Sequence, residues 1–235
     1  MLPTAYGRPL AAWYPPATGR ERSSIRMSDA SNTFLSAAGE PPFRAIGPCQ
    51  RASIAPYCAR VRSLVSADRF AHVMRVASLA ETIGIANGFS RGELRATSLA
   101  AVLHDVARDL SEDRLRQLAP PENHVESRHP LALHGRAGRA IAVSWGVTDE
   151  RVLDAIEHHV CGPRPGDRVA MAVYVADVTE PGRGVNRDVR ELAMRDLAGA
   201  YQRAIESKVR YLRRHGKSVH PRTLKVHAEI SAQFS

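Results

Sequence analysis

Apolar residues recur at helical spacing along the chain from about residue 66 onward. In the stretch RFAHVMRVASLAETIGIANG they fall three or four residues apart until the Asn-Gly pair at 87–88. This spacing predicts an amphipathic helix that stops at the Asn-Gly pair. Ser90 and Glu93 then form a capping-box pattern, which predicts a second helix that runs through His104 and Asp105.

The remaining chain continues this helical pattern. The apolar run RVAMAVYVADVTEP is predicted to be a helix that ends before Pro181, although its β-branched residues would also allow a buried strand. Nothing after residue 66 alternates with period two. We therefore predict one all-α domain over residues 63–235. Its other helices are predicted at about 111–119, 131–145, 148–159, 188–215 and from Thr223 onward.

Residues 1–62 differ in character from the rest of the chain. They are rich in Pro, Gly, Ser, Ala and Arg and show no sustained periodicity. This composition predicts a disordered or loosely attached extension, so a chain that starts near residue 60 is expected to keep its fold. The Arg-rich start also resembles a transit peptide in composition. Prolines at positions 3, 9, 15 and 16 disfavour the amphipathic helix that mitochondrial import would need, which makes it the lesser alternative.

The charge and the cysteines narrow the class of protein. The formal net charge is +9, but residues 1–62 carry +5 of it, so the predicted domain is only mildly basic. The three cysteines form no Cys-x-x-Cys pair, which indicates a reducing compartment. No stretch reaches the apolar length of a membrane span. We therefore expect a soluble cytoplasmic protein.

Histidines and aspartates interrupt the apolar pattern in five separate predicted helices. Burying such groups is costly unless something pairs with them. For any one of them, a hydrogen-bonded core histidine or a helix cap is an adequate explanation. Five helices that each carry one favour a shared partner, and a metal ion would serve. The residues are His72, His104 with Asp105, His134, His158 with His159, and Asp177.

The types of these residues indicate which metals would bind. Imidazole and carboxylate suit iron, manganese, cobalt and zinc, while the absence of cysteine from these places argues against structural zinc. Four histidines and two aspartates are more than one open catalytic metal needs, and they suit two metals, roughly 3.5 to 4 Å apart, that share a carboxylate. Because adjacent helical residues diverge by about 100°, His104 can bind one ion while Asp105 reaches both.

Six motifs carry a resemblance to a known family: RFAHVMRVA, LAAVLHDVARDL, LALHGRAG, IEHHVCG, YVADVTEP and GKSVHPRTL. In order and spacing they are similar to those of the HD-domain phosphohydrolases, and in detail to the YqeK-type branch, the bacterial symmetrical dinucleoside-tetraphosphate hydrolases. The resemblance covers about residues 66–230 and implies an HD-domain helical bundle with a di-iron centre. It places the ligands on His72, His104, Asp105, His134, His159 and Asp177. The distance to Gly162 selects His159 over His158.

Five arginines are candidates to hold substrate phosphates, because guanidinium groups bind phosphate in a bidentate manner. Arg108 stands where the family commonly has lysine, and it is expected to act with Asp105 in catalysis. Asp109 is expected to orient Arg108 or a metal ligand. His220 is a candidate to approach the site, with a helix-capping role as the alternative. The five arginines are Arg108, Arg136, Arg139, Arg183 and Arg187, and a solvated helix face is the alternative for each.

The resemblance implies symmetrical hydrolysis of diadenosine tetraphosphate to two ADP by a hydroxide that bridges two metal ions. Iron is the expected metal, with manganese or cobalt as alternatives. Two other functions stay open: an HD phosphohydrolase that acts on a nucleotide or guanosine alarmone, and a basic nucleic-acid-binding or regulatory HD module. The second is disfavoured because the excess charge lies mostly in residues 1–62 and aromatic residues make up only 6% of the chain. The expected partner is a dinucleoside polyphosphate, without a membrane or a specific nucleic acid, and a homodimer stays open.

Overall fold

The computed structural model describes residues 48–233, which form helices joined by short loops, with no strand among them. This confirms the predicted all-α class. Within the described residues no helix has both the length and the apolar character needed to cross a bilayer. The helices are α1 (Pro48–Leu64), α2 (Ala67–Ala86), α3 (Arg91–Leu103), α4 (Glu112–Leu118), α5 (His124–Arg128), α6 (His134–Ser144), α7 (Glu150–His158), α8 (Arg168–Thr179), α9 (Arg187–Ala193), α10 (Leu197–Arg214) and α11 (Pro221–Gln233), with short 3₁₀ helices at Pro130–Leu133 and Pro181–Arg183.

Helix α1 corrects part of the predicted extension. Ile54 and Val61 are fully buried in the main core, and Tyr57 and Cys58 pack against it. These side chains follow one another at helical spacing, but Pro56 lies inside the helix and masks the pattern, since proline disfavours a helix interior. Residues 48–62 therefore belong to the bundle, and the predicted boundary at residue 62 falls inside α1. The rest of the predicted extension, residues 1–47, lies outside the described residues.

Helix α8 runs through the middle of the bundle. Ten of its twelve residues are buried, so it is enclosed on all sides, as expected of a helix that is apolar all round. It packs against α2, α3, α7 and α10. The stretch for which a buried strand was the alternative is thus a central helix, and its last turn carries Asp177.

Serine caps begin three helices, one of which, at Ser90, is the capping box that the sequence predicts. The Ser66 hydroxyl accepts from the Arg69 backbone N–H, and Ser111 caps α4 in the same way. Ser90 and Glu93 form a complete capping box at the start of α3. The predicted helix 188–215 is instead two helices, because Asp196 caps a new helix, α10, within it.

Helix α3 ends one residue before the His104-Asp105 pair, whereas the sequence predicts a helix through the pair. The chain continues in tight turns in which the Val106 N–H donates to the Leu103 carbonyl at 3.1 Å and the Arg108 N–H to the Asp105 carbonyl at 2.9 Å. The pair therefore lies at a helix end, where the last carbonyls have no partner within the helix.

Candidate metal centre

The six predicted metal ligands come together in one cluster between five helices. All are buried except Asp177, whose side chain is 14% exposed. Each lies at or near a helix end except His72, which is well inside α2. His104 and Asp105 follow α3, His134 begins α6, His159 follows α7, and Asp177 lies in the last turn of α8.

Asp105 lies in the middle of the cluster and faces two pairs of imidazoles. Its Oδ2 is 3.7 Å from His72 Nε2 and 3.6 Å from His104 Nε2. Its Oδ1 is 3.2 Å from His134 Nε2 and 3.5 Å from His159 Nε2. The carboxylate thus divides the cluster into two halves and can serve both.

The first half also contains Asp177, and we name it the Asp177 half: His72, His104 and Asp177. Asp177 Oδ1 is 3.1 Å from His72 Nε2 and 3.8 Å from His104 Nε2. The second half, the His134 half, consists of His134 and His159, whose Nε2 atoms are 3.0 Å apart. Each half, completed by one oxygen of Asp105, has the ligand types of a transition-metal site.

Three of the histidine rings are oriented by their own backbone. In each, Nδ1 lies within hydrogen-bond distance of the carbonyl three residues earlier. Because a carbonyl only accepts, Nδ1 carries the proton and Nε2 presents its lone pair to the cluster. The bonds are His104 to Ala101 (2.7 Å), His134 to Leu131 (2.5 Å) and His159 to Ile156 (2.7 Å).

The His72 ring is oriented by a carboxylate that the sequence analysis missed. His72 Nδ1 is 3.1 Å from Glu180 Oε1, and Glu180 is only 2% exposed. Arg75 Nε donates to Glu180 Oε2 at 2.7 Å, and the Gly182 N–H donates to the same oxygen at 2.6 Å. The signal was present in ADVTEP, where an acidic residue directly follows an apolar helix.

The protonation states of the cluster suit metal binding. Burial by itself would raise the pKa of Asp105, but the surrounding imidazoles, led by His104, hold that pKa well below its usual value. Asp177 is held low in the same way, chiefly by the Arg183 guanidinium. Burial lowers the pKa of His104 to about 4 and also lowers that of His134. Ionised carboxylates and neutral imidazoles are the forms that bind metal.

His72 differs from those two histidines. Burial by itself would lower its pKa, but the carboxylates of Asp177 and Glu180, which lie 3.1 Å from its two ring nitrogens, outweigh burial and raise it. An imidazole in the Asp177 half therefore has more negative charge around it than one in the His134 half.

Two buried nitrogens in the cluster lack a hydrogen bond. His72 Nε2 and His104 Nε2 are shielded from solvent and form no hydrogen bond with the described residues. An unsatisfied buried polar atom costs about 1 to 3 kcal/mol, and a metal ion would satisfy both atoms. The donor set and these two atoms fit a metal centre.

Residues 69–182, which include all six cluster residues, match the model of the HD domain family. The chain is 32% identical over 171 residues to the symmetrical bis(5'-nucleosyl)-tetraphosphatase of Bacillus subtilis, an alignment that covers 69% of this chain and 89% of that protein. The chain belongs to the YqeK-type branch of the HD-domain family.

Other proteins extend the comparison for this HD-domain chain. It is 33% identical over 132 residues to the symmetrical bis(5'-nucleosyl)-tetraphosphatase of Staphylococcus aureus, covering 53% of this chain and 66% of that protein. It is 32% identical over 126 residues, 52% of this chain, to a Mycoplasma genitalium protein named "Probable nicotinate-nucleotide adenylyltransferase/Ap4A hydrolase", and spans 35% of its length. A crystal structure of a predicted HD superfamily hydrolase involved in NAD metabolism from Clostridium acetobutylicum superposes with a TM-score of 0.69 at 24% identity, over 76% of this chain and 97% of that one. This likeness supports the fold.

Three arginines lie beside the cluster of this HD-domain protein. Arg183 Nη2 donates to Asp177 Oδ1 at 2.5 Å. Arg69, which the sequence analysis did not single out, donates from Nη1 to Asp105 Oδ2 at 2.9 Å. Arg108 is half-buried and forms no hydrogen bond or ion pair with any described residue, and burial lowers its pKa. Arg108 is therefore the cation of the three whose donors are available to a ligand.

The other predicted phosphate-binding arginines are engaged elsewhere. Arg136 pairs with Glu122 and Glu126, and Arg139 forms ion pairs with three carboxylates of α7. The Arg187 side chain is 83% exposed and pairs with Glu191 one turn away. Arg187 therefore matches the alternative of a solvated helix face, whereas Arg136 and Arg139 are held in ion pairs.

The remaining candidates also have structural partners. Asp109 Oδ2 accepts from the Ser66 N–H at 2.8 Å, so Asp109 contacts the start of α2 and is not bonded to Arg108. His220 Nδ1 accepts from the Arg222 N–H at 3.1 Å, which is a helix-capping bond, while its Nε2 faces Glu126. His158 lies outside the cluster, beside Asp154 and Glu157.

Proposed function

We propose that this HD-domain hydrolase cleaves diadenosine tetraphosphate symmetrically to two ADP and uses two metal ions to do so. The relatives in Bacillus subtilis and Staphylococcus aureus are named for this reaction, which supports the substrate class. The observation that carries the two-metal proposal is the position of Asp105. Its two oxygens face two different pairs of Nε2 atoms, as a carboxylate shared by two ions must.

When bound, two such ions would activate a water molecule and neutralise charge on the phosphate oxygens. The protein's own part is to hold the ligands in place. The Nδ1 bonds of the four histidines fix the ring orientations, and Arg69 holds Asp105 through Oδ2. Side chains held in this way lose little further entropy when a substrate binds.

Arg108 is proposed to bind a substrate phosphate. It lies three residues after Asp105, is half-buried, and its guanidinium is free of described partners. Arg183 is the second candidate, because it is a cation that lies beside the cluster and bonds Asp177. Arg136, Arg139 and Arg187 would have to give up existing ion pairs to take this role.

Product analysis tests the proposed reaction. The protein is purified without chelator, supplied with iron or manganese, and incubated with diadenosine tetraphosphate, with a guanosine alarmone and with a mononucleotide. Chromatography is expected to find ADP as the sole nucleotide product from the tetraphosphate. AMP and ATP in equal amounts would show asymmetric cleavage. If only the alarmone or only the mononucleotide were hydrolysed, diadenosine tetraphosphate would not be the substrate. Elemental analysis of the protein as purified, before any metal is supplied, is expected to find close to two ions per chain, chiefly iron.

Arg108→Ala tests the phosphate contact. Loss of one charged hydrogen bond is worth about 1.5 to 3 kcal/mol, so kcat/KM is expected to fall roughly ten- to hundredfold, chiefly through KM. The metal content should not change. Arg139→Ala is the matched control, since Arg139 is tied to Glu150, Asp154 and Glu157, and it should leave kcat/KM within about twofold of the wild type. Equal effects of the two substitutions would contradict the assignment.

A further inference from the structure

We propose that the two metal positions are unequal: the Asp177 half binds its ion more tightly and fills first, and Glu180 is the positioning residue that strengthens it. This inference rests on the two-metal centre of the proposed function. It concerns the order of loading and the residue behind it.

The location of His72 in its helix explains why Glu180 is needed. His104 and His159 directly follow helices, so each finds a carbonyl three residues earlier that lacks a helical partner. His134 follows a 3₁₀ helix, and its Nδ1 shares the Leu131 carbonyl with the His134 backbone N–H. His72 lies inside α2, where the backbone carbonyls are already bonded. Its Nδ1 therefore takes a side chain from a distant part of the chain, Glu180.

The partner of Nδ1 affects how strongly Nε2 binds metal. A carboxylate behind a histidine makes the ring a more basic ligand than a neutral carbonyl does, and losing such a partner typically costs about 10- to 100-fold in metal affinity. In this cluster only His72 has a carboxylate, Glu180, as the partner of its Nδ1. Both imidazoles of the His134 half are backed by carbonyls.

The number of ligands favours the same half. The Asp177 half has two imidazoles and a carboxylate of its own, whereas the His134 half has two imidazoles and depends on Asp105 for any anionic ligand. The orphaned buried nitrogens, His72 Nε2 and His104 Nε2, both belong to the Asp177 half. His134 Nε2 and His159 Nε2, which face each other with both Nδ1 atoms protonated, also have no donor between them, so the ligand count is what distinguishes the two halves.

Nearby arginines reduce this difference without removing it. Arg75 donates to Glu180 Oε2 at 2.7 Å and, at the longer distance of 3.3 Å, to Oε1, which also faces His72. Arg183 bonds Asp177 Oδ1, but an ionised carboxylate has about four lone-pair sites and can bind a cation besides the guanidinium. Arg69 bonds Asp105, which serves both halves. The direct ligand count still favours the Asp177 half.

Binding of Mn²⁺ to the full chain, after removal of metal with chelator, measures the difference. Calorimetry, together with the electron paramagnetic resonance signal of free Mn²⁺, should find two classes of site whose dissociation constants differ by about tenfold or more. His134→Ala should keep the tight class and lose the weak one. Asp177→Asn should lose the tight class.

Glu180→Gln tests the positioning residue, because glutamine can still accept from His72 Nδ1 but carries no charge. The tight class should weaken by about tenfold or more and approach the weak one. Glu180→Asp, which keeps the charge at a longer reach, should retain more of the affinity. The matched control is Glu126→Gln: Glu126 is also 2% exposed and also contacts a histidine and an arginine, but outside the cluster. It should leave both classes unchanged.

Each outcome separates the inference from the proposed function. Two ions bound with equal affinity would overturn the inference and leave the two-metal reaction standing. A single ion in the wild type would overturn the two-metal proposal itself. Loss of the tight class in His134→Ala would show that the tight site is the His134 half and would contradict the inference. An unchanged tight class in Glu180→Gln, or equal weakening in Glu126→Gln, would remove Glu180 from the explanation. If Glu180→Gln does not fold, Glu180→Ala takes its place, and an unchanged tight class in that variant would do the same.

Discussion

At the scale of single residues, Asp105 and Asp109 are two carboxylates one turn apart that both lie near Arg69 but otherwise have different partners. Asp105 faces four imidazoles, while Asp109 accepts from the backbone of Ser66. Asp105→Ala is therefore expected to lose metal and activity together. Asp109→Ala should keep its metal and lose only about 0.5 to 1.5 kcal/mol of stability, the value of one hydrogen bond. Elemental analysis and thermal unfolding of both variants check this, and retention of two ions by Asp105→Ala would contradict the central role of that carboxylate.

His158 should make the metal-free protein less stable as the pH falls. Burial, assisted by Arg222, lowers its pKa in the folded chain to about 4, against about 6.5 when unfolded. As the pH drops from about 6.5 to 4, the unfolded chain takes up a proton that folded His158 does not, so the free energy of unfolding decreases.

His158→Gln removes this contribution. The Tm of chelator-treated variant protein should therefore fall less between pH 7.5 and pH 5 than that of chelator-treated wild type. His124→Gln, at an exposed position, is the control and should follow the wild type. Parallel curves for His158→Gln and wild type would show that His158 adds nothing to acid sensitivity.

The sequence predicted the grouping of the cluster residues and missed the side chains that support them. A histidine or aspartate inside an apolar helical pattern is a local signal, which is why His104 and Asp177 could be singled out. The role of Glu180 depends on its approach to His72, which lies 108 positions away in the chain. The same holds for Arg136 and Arg139, whose ion pairs depend on packing that the sequence does not reveal.

At the scale of helices, the starts were easier to predict than the ends. The Ser90–Glu93 capping box is formed as predicted, and Ser66 and Ser111 cap helices that begin about where they were predicted to begin, because an N-cap bond is formed within four residues. The end of α3 at Leu103 has no proline or glycine to mark it. What distinguishes that end is the contact of His104 and Asp105 with other helices, which a local pattern cannot include.

Gly135 allows α6 to approach the end of α7. A Cβ at this position would collide with the Glu157 carbonyl oxygen and lie 3.1 Å from that of Ile156, which accepts from His159. Gly135→Ala should therefore push His134 and His159 apart, weaken the His134 half, and cost about 1 to 3 kcal/mol of stability.

Gly92→Ala is the control for that substitution. At Gly92 the nearest atom to a new Cβ is 3.8 Å away, so the change should leave metal content intact and stabilise α3 by up to about 1 kcal/mol. Metal analysis and thermal unfolding compare the two variants. If Gly135→Ala kept two ions and the wild-type Tm, the close approach would not matter for the centre.

At the scale of the whole molecule, the all-α bundle was predicted because its apolar periodicity is continuous from residue 66 onward. Helix α1 was not, because Pro56 interrupts its pattern and its burial becomes evident only against the rest of the bundle. We therefore expect a chain that starts near residue 60 to be destabilised, because it lacks most of α1.

Two shortened chains test the role of α1. A chain that starts at residue 47 keeps α1 and should match the full chain in Tm and metal content. A chain that starts at residue 63 lacks Ile54 and Val61, both fully buried, and should lose about 3 to 6 kcal/mol, at about 1.5 to 3 kcal/mol for each side chain. That loss is comparable with the whole stability of many domains. Equal Tm values for the two would restore the boundary at residue 62.

The order of the ligands along the chain sets when the centre can form during synthesis. His72 is the first of the six to leave the ribosome and Asp177 the last, and both belong to the Asp177 half, with Glu180 following directly behind. Asp105, His134 and His159, which complete the other half, are all made earlier. Because chains are made from the N-terminus, the half with more ligands of its own is finished only after α8. A growing chain therefore has no complete Asp177 half with which to retain a metal ion before its central helix is in place.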